Sequence, residues 1–263
     1  MKKVTAVVLF VLLMCVTLYH VSGETKPKLP DTGVVVLGYH HLLRDEENKK
    51  FRDNPSVLSV AAFERQMSFL HEAGYHTATL PQLQEYVEGK IKLPHRTVVL
   101  TFDDGYRSNY RYAYPILKKY GYTATIFAIG DAIQDRNSGF HPDELDYISR
   151  DDMPKYVDVF DIQSHTYAMH NKTLWISNMI MKPKAAVLAD LLKSKEMFHA
   201  RYFAYPYGSY TAETVKMVKQ AGYELAFTTK YGKVQPGDPP LMLKRILVHP
   251  GITDQQFKAI FSD

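Results

Sequence analysis

The chain has 263 residues, 46% of them hydrophobic and 23% charged, with a formal net charge of +4. That composition describes an ordinary globular protein with ample core. Setting aside Lys2 and Lys3, which fall in an N-terminal leader, lowers the charge to +2, too small a surplus for a nucleic-acid partner, and no basic stripe with interleaved aromatics is present.

The N-terminus, MKKVTAVVLFVLLMCVTLYHVSGET, places two lysines before an apolar run from Val4 to about Tyr19, followed by the small-residue stretch VSG. This is the form of a secretory signal peptide covering residues 1–23, with cleavage after Gly23. An uncleaved anchor is the alternative, because the run approaches the roughly 20 residues that span a bilayer. Cys15, the single cysteine, sits in this run behind the large Met14, which argues against lipidation; the mature chain has no disulfide framework. Residues 24–33, ETKPKLPDTG, read as a linker, and 34–263 as one domain with no internal repeat.

VVVLGYHHL reads as a buried strand ending in two histidines. NPSVLSVAAFERQMSFLHEAGY holds a helix capped by Ser59, with Phe63, Met67 and Leu70 on one face and Gly74 as its stop. A short strand at HTATL, a helix at LPQLQEYVEGK and the strand TVVLTF follow. YRYAYPILKKYG is a helix kinked at Pro115 and ended by Gly121. YTATIFAIG and VDVFDIQSH are strands, and KPKAAVLADLLKSKEMF is a helix with Val187, Leu188, Leu191 and Leu192 on its apolar stripe. The strand RYFAYPYG, the helix TAETVKMVKQAG, the strands ELAFTT and LKRILV and the helix TDQQFKAIF complete the domain.

Strands alternate with helices, and most strands are apolar runs without polar alternation, the sign of a parallel sheet covered by helices. Six or seven β/α units predict an α/β fold of TIM-barrel type, incomplete or distorted. In such barrels function gathers at the C-terminal strand ends. Those ends carry Tyr39, His40 and His41; Asp103 and Asp104; Ser164 and His165, with His170 in the next loop; and Tyr205 to Tyr207. One aspartate with two histidines has the composition of a catalytic metal site, and leaves a second aspartate free to act on bound water. Alone, Asp-Asp-Gly after a strand is a turn sequence, and a histidine pair five apart is surface or core. Convergence on one rim is what makes them a site.

TFDDG and SHTYAMH resemble the first two motifs of the polysaccharide deacetylases, the NodB-homology group of carbohydrate esterase family 4. The resemblance implies a single distorted (β/α)7 barrel, one divalent metal (usually Zn2+, with Co2+, Ni2+ or Mn2+ as alternatives) and removal of N-acetyl groups from amino sugars. It makes Asp104, His165 and His170 the metal ligands, Asp103 the general base, and AYPYG the third motif, with Tyr207 as the backbone donor to the oxyanion. Departures from the usual pattern are informative. Ala204 stands where that motif usually has an arginine that orients the base, and AFTTKYG lacks the aspartate and tryptophan of the fourth motif. These gaps resemble the poly-β-1,6-N-acetylglucosamine deacetylases, whose motif order is circularly permuted and whose chain opens with a strand ending in Tyr-His, as VLGYHHL does.

Amide hydrolysis needs a proton for the leaving amine. Metal-bound histidines cannot give it, so His40 is expected as the general acid, with His249 in RILVHP as the candidate from ordinary motif order. His41 would point the other way. With Ala204 in the arginine position, Arg245 is the candidate to orient Asp103; a surface or loop-anchoring salt bridge is the alternative. Trp175, the sole tryptophan, walls a sugar groove or packs in the core; the 19 tyrosines suit sugar stacking or any barrel. His71, His76, His95, His141 and His199 read as surface or structural, and residues 44–54 as a solvated rim loop. The expectation is a secreted or cell-surface monomer acting on an N-acetylglucosamine polysaccharide. Deacetylation of peptidoglycan or chitin-type oligomers, a weakly active carbohydrate-binding relative, and an iron(II) oxygenase are the alternatives.

Overall fold

The computed structural model describes residues 33–262, so the expected leader and most of the linker lie outside the described residues. Its main sheet is built from parallel strands in the order β11-β10-β7-β6-β5-β1-β12. These are β1 (Val35–Tyr39), β5 (Thr97–Asp104), β6 (Ala124–Ala128), β7 (Phe160–Ser164), β10 (Tyr202–Ala204), β11 (Leu225–Phe227) and β12 (Ile246–Leu247). A short strand β4 (His76–Thr77) pairs with the start of β5. A parallel bridge from Phe227 to Leu243 links β11 to the segment leading into β12, and β12 pairs with β1. The ring is thereby closed: this is the seven-stranded, distorted barrel.

β1 and β5 are buried along their whole length, as parallel strands covered on both sides must be. Alternation divides their side chains between two cores. Leu37, Tyr39, Leu100 and Phe102 face outward and pack with Phe63, Met67 and Leu70 of helix α1 (Val60–Glu72). Val36 and Val99 face inward with Phe127, Phe227 and Leu243. Helix α2 (Leu80–Val87), α3 (Tyr114–Tyr120), α4 (Asn178–Met181), α5 (Lys184–Phe198), α6 (Ala212–Gln220) and α7 (Asp254–Ala259) follow in chain order.

The local signals explain the boundaries. Ser59 caps α1 by accepting from the Ala62 amide, and Gly121 ends α3 in the left-handed conformation that glycine tolerates. The kink at Pro115 is a π-helical turn over Asn109–Ala113 just before it. The first strand is shorter than its apolar run: β2 (His41–Leu43) leaves the barrel to pair with β3 (Val57–Ser59). On α5 the buried stripe is Val187, Asp190, Leu191, Ser194 and Phe198, not a leucine row, and Leu192 is exposed. A hairpin of β8 (Lys172–Thr173) and β9 (Ile176–Ser177) also escaped sequence reading. Its turn puts Trp175 at 92% exposure, so core packing of that residue is corrected.

Candidate metal centre and active site

Register assembles the rim. Gly38 pairs with Thr101 and Tyr39 with Phe102, so His40 continues beside Asp103. Gly38 and His40 share a face with Thr101 and Asp103, because strand side chains alternate. A Cβ on Gly38 would lie 2.5 Å from Leu247 Cδ2 and 3.6 Å from Arg245 Nη1. The space left by the missing side chain is taken by Leu247, and the guanidinium of Arg245, which is fully buried, lies at ordinary contact distance beside it.

That guanidinium forms a fork on Asp103. Nη1 and Nη2 donate to Oδ1 and Oδ2 at 2.7 and 2.8 Å. Nη1 also donates to Thr101 Oγ1 at 3.2 Å, and Nε to the Thr228 carbonyl at 3.1 Å. Burial alone would push the Asp103 carboxyl up. The Arg245 charge, then His165, the Arg245 hydrogen bonds and His40 outweigh it and hold the group well below the usual carboxylate range. The His40 ring stands at the rim, with Nε2 4.0 Å from Asp103 Oδ2. His41 turns away, as alternation demands; it is buried, with Nδ1 2.7 Å from Ser108 Oγ, and its ring stacks on Tyr106. His249 is exposed beyond β12.

Asp104, the last residue of β5, has φ 71°, a left-handed conformation that aspartate tolerates better than most residues. The regular alternation ends there. Asp104 Oδ1 lies 3.5 Å from His165 Nε2 and 3.2 Å from His170 Nε2. The three ligand atoms all fall within 4.8 Å of one another.

This donor set fits a divalent cation. Asp104 Oδ1 is buried with no hydrogen-bond partner, a costly arrangement for a carboxylate unless a cation meets it. His165 Nδ1 donates to the Ala204 carbonyl at 2.7 Å, which leaves the lone pair on Nε2. Burial, then the neighbouring His170, pull His165 down to about 4 against the opposing pull of Asp103 and Asp104. The ring is therefore neutral at pH 7, as a metal ligand must be. Tyr207 borders the site from the Pro206–Gly208 turn, with φ 59°. Its hydroxyl donates to the His170 carbonyl at 3.2 Å, and its ring centroid lies 4.7 Å from that of His170.

The residues singled out from the sequence thus stand together: Asp103 with Arg245 and His40, Asp104 with His165 and His170, Tyr207 alongside. Three supporting features were not legible in the sequence: the Ala204 carbonyl under His165, the gap at Gly38 that Leu247 fills, and Asp190 behind the histidine loop. Only Asp190 left a trace, as a charge on the same face of α5 as Val187 and Leu191.

A family model described as polysaccharide deacetylase matches residues 90–226. It takes in Asp103, Asp104, His165, His170 and Tyr207 but stops short of His40 and Arg245 at either side. A poly-beta-1,6-N-acetyl-D-glucosamine N-deacetylase of Staphylococcus aureus (strain MRSA252) is 30% identical over 243 residues, covering 85% of this chain and 81% of that protein. Among solved structures, IcaB from Ammonifex degensii aligns with a TM-score of 0.72 at 28% identity, over 87% of this chain and 95% of that one. The Streptococcus pyogenes deacetylase PplD, at 21% identity and a TM-score of 0.74 over 88% and 99% of the two chains, shares the fold. Because the family model spans more than half of the chain, and the staphylococcal relative is 30% identical over most of both chains, this chain belongs to the polysaccharide deacetylases of the NodB-homology group.

Proposed function

We propose that the protein is a metal-dependent hydrolase that removes N-acetyl groups from an N-acetylglucosamine polymer, poly-β-1,6-N-acetylglucosamine in the first instance. One observation carries the reading: the two adjacent aspartates have different surroundings. Asp104 faces two histidine nitrogens with an unpartnered oxygen, whereas both oxygens of Asp103 are engaged by Arg245. The first is built as a ligand and the second as a base.

A divalent cation on Asp104, His165 and His170, Zn2+ being the expected one, would supply a water of lowered pKa and positive charge beside the reacting carbonyl. Asp103 accepts the proton of the attacking water. A carboxylate held so low is a poor base toward ordinary water, so its use depends on that acidification. The Tyr207 amide donates to the oxyanion, and His40 gives a proton to the leaving nitrogen as the C–N bond breaks. The fork from Arg245 supports catalysis over mere carbohydrate binding, since it replaces the arginine missing at Ala204. The reading extends to a secreted or cell-surface monomer, with residues 34–263 as one catalytic domain behind the leader 1–23 and linker 24–33. Among the described residues no helix is long and apolar enough to cross a membrane.

Acetate release from β-1,6-linked N-acetylglucosamine, chitin oligomers and peptidoglycan tests the substrate. The first polymer is expected to be the best, and a preference for either of the others would reassign it. Chelation should abolish release and added divalent metal should restore it; full activity in metal-free protein would sink the mechanism. His40→Ala should keep its metal and lose turnover by about 100-fold or more. The limb of the pH profile that falls as the proton donor is lost should disappear with it. If His249→Ala gives that pattern and His40→Ala does not, His249 is the acid.

A further inference from the structure

The segment between the two histidines is held in an unfavourable shape. Thr166 has φ 74°, a left-handed conformation that a β-branched residue adopts only under constraint. Its Oγ1 is buried and has no hydrogen-bond partner, a further cost. Left alone, the turn after His165 would relax and carry His170 with it.

Two sets of contacts hold it. On one side the amides of Gly130 and Asp131 donate to the Thr166 and Tyr167 carbonyls at 3.0 and 2.8 Å. Gly130 permits that approach, since a Cβ there would lie 2.6 Å from Tyr167 Cδ2 and 3.1 Å from Tyr167 Cα. On the other side stands Asp190, on the buried face of α5 and only 8% exposed. Its Oδ1 accepts from the Tyr167 amide at 2.9 Å and its Oδ2 from the Ala168 amide at 2.7 Å. Among the described residues no basic side chain forms an ion pair with it. Both oxygens are engaged by the histidine loop, and Val187 and Leu191 beside it on the helix are ordinary core. A carboxylate placed among them is explained by what it grips.

We propose that Asp190 is a positioning residue of the metal centre: its two-pronged hold on the Tyr167 and Ala168 amides locks the left-handed turn and fixes where His170 stands relative to His165. This rests on the reading of Asp104, His165 and His170 as a metal site. Asp190 touches no ligand ring and acts through the backbone. The hydrogen-bonded supports of metal ligands contribute about 10- to 100-fold in affinity in other sites, and a backbone clamp that sets the ligand spacing acts at the same remove.

The test uses the full mature protein stripped of metal and titrated with Co2+, with affinity and the visible absorption spectrum as readouts. Asp190→Asn keeps the volume but has one acceptor oxygen for two amides, and turns an N–H toward the other. It is expected to weaken Co2+ binding by about 10-fold or more and to shift the absorption bands. Asp190→Glu, which keeps the carboxylate but moves it by one methylene, should bind more weakly than the parent and covers the case in which the asparagine variant does not fold. Val187→Ala, a core truncation on the same helix that leaves the loop untouched, should lower Tm and keep both affinity and spectrum. Parent-like Co2+ binding in whichever Asp190 variant folds would overturn the proposal. So would an equal loss of affinity in Val187→Ala, which would reduce Asp190 to general stability. A parent protein that takes up no Co2+ would overturn both this inference and the metal reading beneath it.

Discussion

Asp103→Asn is expected to cut turnover by about 100-fold or more while the metal content of the protein stays near that of the parent. The two aspartates are neighbours in sequence, but only Asp104 directs an oxygen at both histidine nitrogens. Losing the Asp103 charge removes the acceptor for the water proton without removing a ligand. It also leaves the buried Arg245 cation facing an amide, so a loss of thermal stability should accompany the loss of rate. Metal analysis separates the two aspartates: Asp104→Asn should lose metal, and an equal loss in Asp103→Asn would reverse the assigned roles.

Arg245→Met is expected to carry the largest stability cost of any substitution considered, about 3–5 kcal/mol near neutral pH. Methionine fills much of the volume but leaves Asp103 buried with no cation. The pH dependence has a definite sign. In the parent the folded Asp103 carboxyl lies below its ordinary value, so the pair stabilises fully above about pH 4 and the contribution is lost as pH falls through the lowered value. In the variant, burial is unopposed by Arg245 and raises the carboxyl instead, so stability is lost as pH rises through and above the ordinary carboxylate range. The gap between parent and variant should therefore be widest near pH 7 and shrink toward pH 3. Urea unfolding at several pH values measures it, and acetate release run alongside should fall too. Normal turnover in Arg245→Met would remove Arg245 from the site.

Long, uniformly apolar strands were legible because burial on both faces leaves no alternative pattern; TVVLTF is the core of β5. Caps were legible where chemistry is local, as at Ser59 and Gly121. What stayed hidden is of two kinds. Strands β3, β8 and β9, which pair away from the main sheet, lie in stretches that do not follow the alternation of strand and helix and are too short to set a period of their own. Contacts that depend on register are the other kind: nothing near Gly38 says that its missing side chain makes room for Leu247. The metal-site grouping was readable because strand ends of a barrel converge, and Arg245 was reached by asking what replaces the arginine absent at Ala204. Asp190 was overlooked because a leucine-rich helix invites a wholly apolar reading of its inner face, and Leu192 was placed there instead.

Pairing of β1 with β12 joins the opening strand of the barrel to its closing one. His40, Asp103 and Arg245 consequently come from the beginning, the middle and the end of the domain, and the fork on Asp103 exists only once β12 has docked. Such contacts are the slowest kind to form, because the entropy of closing a very long loop is lost before any pairing compensates it. A nascent chain can build most of its β/α units as it emerges, yet the Asp103 carboxylate stays without its buried cation until the final strand arrives. On the proposed reading, completion of the barrel is what seats Asp103, and a chain interrupted before Arg245 would carry the metal donors and Asp103 without the cation that holds that carboxylate.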